Sequence, residues 1–200
     1  MGLTSKLKKI YHIVVRRDVL SHIGRSRFGG VGEGSTIYRP AITDNNLKNV
    51  FIGANTTLLT GSRIQLYELD GRLPRIIIGD GCYLGYNNTF LAGGNITLAN
   101  GVLMASNILI SSENHSMDPE LPIHYMDQPI ICKDVEIGEG AWIAERVMIM
   151  PGVTIGKKSV IGAGSVVTSS IPDYCIAVGS PARVVKTYDF ATHAWVRACK

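Results

Sequence analysis

His115 lies two positions after Glu113, in Glu113-Asn114-His115. A neutral imidazole near pH 7 can take the proton of a hydroxyl as its oxygen attacks a carbonyl. A carboxylate or a backbone carbonyl can hold such a ring in one tautomer, so Glu113 is either that partner or a solvated loop residue. Asn87 and Asn88 stand together in Gly85-Tyr86-Asn87-Asn88-Thr89. Asn is a favoured turn residue, and an inward Asn can also stack in a ladder. An outward Trp142 could wall a groove for an apolar ligand arm or pack at a subunit contact. Arg183 and Lys186 are cations of the kind that hold phosphate. A metal is not expected. His115 and His124 have eight residues between them, and Cys82, Cys132, Cys175 and Cys199 form no CxxC pair.

These residues must be positioned by a repeat of six. Aliphatic residues recur at Ile131, Ile137, Ile143, Ile149, Ile155, Ile161 and Val167. Four places after each stands a small or β-branched residue, from Val135 and Ala141 to Ser165 and Ile171. An earlier block reads Ile78, Leu84, Phe90, Ile96, Val102 and Ile108, and a shorter one Ile52, Leu58 and Ile64. A helix requires a period of 3.6 and a half-buried strand a period of 2. A short strand plus a turn gives six. Three such units close a triangular coil, and stacked coils share one aliphatic core. The spacing leaves the hand of the coil open.

Two segments break the period. Residues 66–73 carry Asp70-Gly71 between apolar flanks, which predicts a hairpin leaving the coil. Residues 111–130 hold His115 and His124 and must project as a loop, the usual place for function on a rigid scaffold. The expected organisation is therefore a helical cap over 1–24, a β-helix over 25–181 and a tail over 182–200 with a short helix. The fold class is all-β, a parallel β-helix with an N-terminal helix, a protruding loop and a helical tail.

Composition narrows the class. The formal charge of +4 comes without a dense basic tract in the body, so no nucleic-acid partner is expected. Neither a signal peptide nor a transmembrane span is expected, and unpaired cysteines suit a cytoplasmic protein. The basic amphipathic stretch 3–22 either caps the coil or touches an anionic membrane face.

The runs Ile137-Gly-Glu-Gly-Ala-Trp-Ile-Ala, Pro151-Gly-Val-Thr-Ile-Gly, Val160-Ile-Gly-Ala-Gly-Ser-Val-Val and Val178-Gly-Ser-Pro-Ala-Arg183 resemble the hexapeptide-repeat acyltransferases. The nearest branch is that of the galactoside, maltose and polysaccharide O-acetyltransferases, and the likeness covers roughly residues 50 to 187. The resemblance implies a left-handed β-helix, a homotrimer with sites between subunits, and acetyl-CoA as donor without a metal. It implies His115 as general base, with Asn87 (by register rather than Asn88) holding the acceptor or the oxyanion. It places Trp142 beside the pantetheine arm, backbone groups at Ala163 and Ser180 on the pantetheine amides, and Arg183 and Lys186 near the nucleotide phosphates. The acceptor it implies is a hydroxyl of a sugar or glycan, such as a surface-polysaccharide or lipopolysaccharide precursor. Competing readings are a small non-sugar or amino-sugar acceptor, a γ-type carbonic anhydrase and a non-catalytic β-helix scaffold. A serine acetyltransferase would carry a longer helical N-terminal domain.

Overall fold

The computed structural model describes residues 25–39, 42–43 and 46–198. The helix expected over 3–22 lies outside them. Among the described residues no helix is long and apolar enough to cross a membrane.

The chain winds around a three-sided prism. The first face stacks Gly30–Val31, Val50–Ile52, Ile76–Ile78, Ile96–Leu98, Val135–Ile137 and Thr154–Ile155 in parallel. The second runs from Thr36–Ile37 through Thr57–Leu58, Tyr83–Leu84, Leu103–Met104, Trp142–Ile143 and Val160–Ile161 to Cys175–Gly179. The third stacks Ile42–Thr43, Arg63–Leu66, Thr89–Ala92, Leu109–Ser111, Met148–Ile149 and Val166–Val167. The chain visits the faces in this order in every coil.

The period of six follows from two inward positions per face, with an outward residue between them. On the second face Cys82 and Leu84 are buried while Tyr83 is exposed. Three turn residues then lead to the next face. The third of them adopts positive φ at the corner between the second and third faces: Asn87 (56°), Asn107 (61°), Arg146 (58°) and Gly164 (70°) stand there in successive coils. Asn tolerates this backbone because its short side chain bonds locally. The inward residues form one continuous core, and each fully buried Leu, Ile or Phe contributes roughly 1.5–3 kcal/mol. Polar residues at the first inward position tie coils together. Ser159 Oγ donates to Pro172 O at 2.7 Å and accepts from Cys175 N–H at 3.1 Å.

Three expectations need correction. Ile131 is not an inward residue: it is 48% exposed in the strand Ile130–Cys132, and the inward pair of the next strand, Val135–Ile137, is Val135 and Ile137. It belongs to the neck of the loop, where no coil interior is available. Ile96, Val102 and Ile108 are buried, but in the other inward position. Ile96 pairs with Ile76, and Leu98 with Ile78, because Gly93-Gly94 lengthens the preceding corner by two residues. The helical tail is also replaced. Ala182–Asp189 pairs antiparallel with Cys175–Gly179, and Ala194–Arg197 pairs with it in turn. Val184, Val185, Thr187 and Tyr188 favour strand, and the last coil would otherwise present an unpaired edge.

Candidate active site

Both breaks in the repeat fall at one edge of the prism, where the third face turns into the first. The hairpin departs after Arg63–Leu66 and returns at Ile76–Ile78. The loop departs after Leu109–Ser111 and returns at Val135–Ile137, with the Gly93-Gly94 corner between the two. The neck of the loop is an antiparallel ribbon in which Glu113 faces Cys132 and His115 faces Ile130. Buried Ser112 pins its base, donating to Gly94 O at 2.7 Å and accepting from Gly94 N–H at 3.2 Å. A Cβ on Gly93 would stand 2.6 Å from Glu113 Cβ and 2.8 Å from Cys132 Sγ, so only glycine lets the ribbon pass this close. Farther out, buried Gln128 clamps the loop through Asp118: its Nε2 donates to Asp118 O at 2.8 Å and its Oε1 accepts from Asp118 N–H at 3.0 Å.

His115 is half-buried in this neck, and its Nδ1 is shielded from solvent with no hydrogen-bond partner. Glu113 therefore does not hold that nitrogen. Its backbone carbonyl accepts from Ser111 Oγ at 2.8 Å. Burial pushes the Cys132 thiol up, and the Glu113 and Asp70 carboxylates push it further.

The two asparagines divide sharply. Asn88 is fully buried; its Nδ2 donates to Gly85 O at 3.1 Å and Ala105 O at 3.0 Å, and its Oδ1 accepts from Ile108 N–H at 2.9 Å. It is a core residue with its amide committed. Asn87 is exposed and contacts Asn107 Oδ1 through Nδ2 at 3.4 Å. It lies at the second-to-third corner, whereas His115 lies at the third-to-first. One chain does not bring them together.

Trp142, Arg183 and Lys186 do share a surface. Trp142 pairs with Val160, Val160 with Ile176, and Ile176 with Lys186, while Val178 pairs with Arg183. Paired residues point to the same side, here the outside of the second face. Arg183 Nη1 donates to Ala182 O at 2.9 Å. Ser180 is exposed in the turn between the two antiparallel strands, and Ala163 is exposed at the second-to-third corner of the last coil. His124 sits in the outer loop, ahead of the short 3-10 turn Tyr125–Asp127. No group of three or more His, Cys, Asp or Glu among the described residues could hold a metal ion.

Sequence reasoning missed Ser112, Gly93 and Gln128. The adjacent glycines at 93–94 were a visible signal, but an aliphatic residue at 96 masked the shift in phase.

Residues 134–169 match the model of the bacterial transferase hexapeptide, six repeats. The galactoside O-acetyltransferase of Escherichia coli K12 is 39% identical over 111 residues, covering 56% of this chain and 53% of that protein. The chain spans about half the length of most of the curated relatives it matches. Among solved structures, a maltose O-acetyltransferase from Clostridium difficile 630 is 30% identical with a TM-score of 0.58, covering 82% of this chain and 71% of that one. AntD, an N-acyltransferase from Bacillus cereus solved with dTDP and 3-hydroxybutyryl-CoA, shares the fold at 21% identity and a TM-score of 0.67, covering 88% and 92%. The hand of the coil, left open by the spacing, is left-handed.

Proposed function

We propose, starting from the fact that this chain belongs to the hexapeptide-repeat family of bacterial transferases, that it moves an acetyl group from acetyl-CoA to a hydroxyl of a sugar or glycan. The acceptor class is that of surface-polysaccharide or lipopolysaccharide precursors, met in the cytoplasm. The observation that carries the reading is the placement of His115 in a pinned neck beside the stacked excursions, in a chain similar to a galactoside O-acetyltransferase.

In this mechanism His115 takes the acceptor proton while the acceptor oxygen bonds to the thioester carbonyl carbon. The tetrahedral species collapses, the carbon–sulfur bond breaks, and the CoA thiolate leaves with the proton returned by the imidazolium. No covalent acetyl-enzyme is needed. Asn87 is assigned to the developing oxyanion or the acceptor, contributed by a different chain from His115. Trp142, Ala163 and Ser180 are assigned to the pantetheine arm, and Arg183 and Lys186 to the phosphates. Glu113 is assigned to the acceptor side of His115 rather than to its tautomer.

The second face, which carries Trp142 and Lys186, lies across the prism from the edge that carries His115. A complete site therefore needs the second face of a neighbouring chain, and the assembly assigned here is the homotrimer that the family resemblance implies. A second acceptor is an amino sugar taking the acyl group on nitrogen, a reading suggested by AntD, an N-acyltransferase of the same fold solved with dTDP-4-amino-4,6-dideoxyglucose and Coenzyme A. Acetyl-CoA-dependent thiol release, measured against neutral sugars, amino sugars, nucleotide sugars and amino acids, tests the proposal. Turnover with sugars carrying no free amine supports O-transfer. Turnover confined to amino sugars supports the second acceptor, and no release with any of them overturns both.

A further inference from the structure

The hairpin and the loop neck enclose a groove of about 290 Å³ at the third-to-first edge. Its floor is the Gly93-Gly94 corner, one wall is the hairpin with Asp70 and Arg72, and the other is the neck with Ile130 and Cys132. We propose that this groove is the acceptor subsite, that it takes one uncharged sugar ring, and that Asp70 and Arg72 set its specificity. The inference rests on the sugar O-acetyltransferase reading and names the site where that acceptor lies.

Four observations lead there. The first is direction. Cross-strand partners point to the same side of a ribbon, so Glu113 and His115 face the same way as Cys132 and Ile130, which line the groove. His115 is not itself part of the lining but stands directly opposite Ile130, which is, so a ring in the groove would present a hydroxyl towards it.

The second is rigidity. Leu69 and Arg72 exchange backbone hydrogen bonds of 3.0 and 2.9 Å around Asp70 (φ 51°) and Gly71 (φ 72°). Positive φ at both central residues is the type I′ turn, whose twist suits a tight hairpin. Asp70 and Arg72 are thus held at the groove by a fixed backbone.

The third is availability. On the floor, Asp134 is spent on Asn95, accepting from its backbone N–H at 2.8 Å and its Nδ2 at 3.0 Å. Asp70 and Arg72 form no ion pair with each other, and both are exposed. A carboxylate accepts from two hydroxyls and a guanidinium donates along a fork, so the pair can grip neighbouring ring hydroxyls.

The fourth is size and charge. The volume lies just below the range of about 300–1,000 Å³ usual for ligand pockets, enough for one ring rather than an oligosaccharide. Asp70, Asp134 and Glu113 outnumber Arg72, so the local field disfavours an anionic ring.

Two measurements on the full chain test this. In a Cys199→Ser background, the iodoacetamide labelling rate of exposed Cys132 is followed by mass spectrometry with methyl β-D-galactopyranoside, maltose or glucuronate present. Burial keeps Cys82 and Cys175 from competing. The neutral sugars should slow labelling severalfold, and glucuronate should not. In steady-state kinetics, Asp70→Asn and Arg72→Ala should each raise the acceptor KM about tenfold or more, as expected when a hydrogen bond to a charged group is lost. The KM for acetyl-CoA should stay unchanged. Unprotected Cys132 together with unchanged acceptor KM, in an enzyme that acetylates sugars, overturns the subsite and leaves the activity standing. Protection of Cys132 by neutral sugars without any acetyl transfer upholds the groove as a sugar site and overturns the activity instead.

Discussion

Trp142 and Lys186 stand in one row across four consecutive strands of the second face, linked through Val160 and Ile176. Strands lie about 4.8 Å apart, so the row spans roughly 14 Å on the outside of the prism. An apolar wall thus leads to a cation, with Arg183 beside it.

That row predicts how the donor is held. Replacing Arg183 and Lys186 together with Ala should weaken CoA by about tenfold or more and weaken dephospho-CoA much less, because charge-assisted bonds to the 3′-phosphate are lost. Isothermal titration with both ligands measures it. Equal losses would remove the phosphate assignment.

His115→Ala should lower kcat/KM by about 10²–10⁴-fold, the usual worth of a general base, while CoA affinity and the unfolding temperature stay close to wild type. Asn at this position keeps a hydrogen-bonding group but cannot carry the proton, so it should be nearly as damaging. His124→Ala should be far milder. Near wild-type turnover by His115→Ala would refute the assignment.

Asn87 and Asn88 should fail in opposite ways. Asn88→Ala strands the Ile108 N–H and two carbonyls in the core and should cost about 2–4 kcal/mol in urea unfolding. Asn87→Gly relieves a positive φ and should leave stability within about 0.5 kcal/mol while lowering turnover. A stable Asn88→Ala, or full activity in Asn87→Gly, contradicts this division.

Glu145 accepts from Asn107 Nδ2 at 2.7 Å and from Ser106 N–H at 2.9 Å, and these donors hold its carboxyl below the usual range. A carboxylate depressed in the folded state stabilises the fold above its unfolded pKa of about 4.3 and loses that contribution as pH falls through its folded value. Glu145→Gln should therefore be less stable than wild type at pH 7, with the gap closing towards pH 3. Thermal unfolding at both pH values measures it, and a gap independent of pH would count against the linkage.

Asn87 and His115 lie at different edges of one chain, so activity should require association. Light scattering should give the mass of three chains. Mixing inactive His115→Ala with inactive Asn87→Ala and letting chains exchange should restore part of the activity. A stable monomer with full turnover would sink the shared site.

The sequence by itself determined the coil, most of its inward residues and the two excursions. Each of these is a local consequence of side-chain period and turn chemistry, as in Cys82-Tyr83-Leu84 followed by a three-residue turn. It also marked His115, since a histidine opening the long interruption is visible without coordinates. Only the tertiary structure decided that hairpin and loop stack at one edge around Gly93, that Asn88 rather than Asn87 is committed to the core, and that the tail adds strands. The first two outcomes depend on parallel pairing between residues some twenty to forty positions apart, such as Ile96 with Ile76 and with Val135. A two-residue change in one corner alters that pairing without disturbing any local pattern. The tail obeys the same rule: its strand exists because the last coil leaves an edge to cover, a demand that residues 182–189 do not carry in themselves.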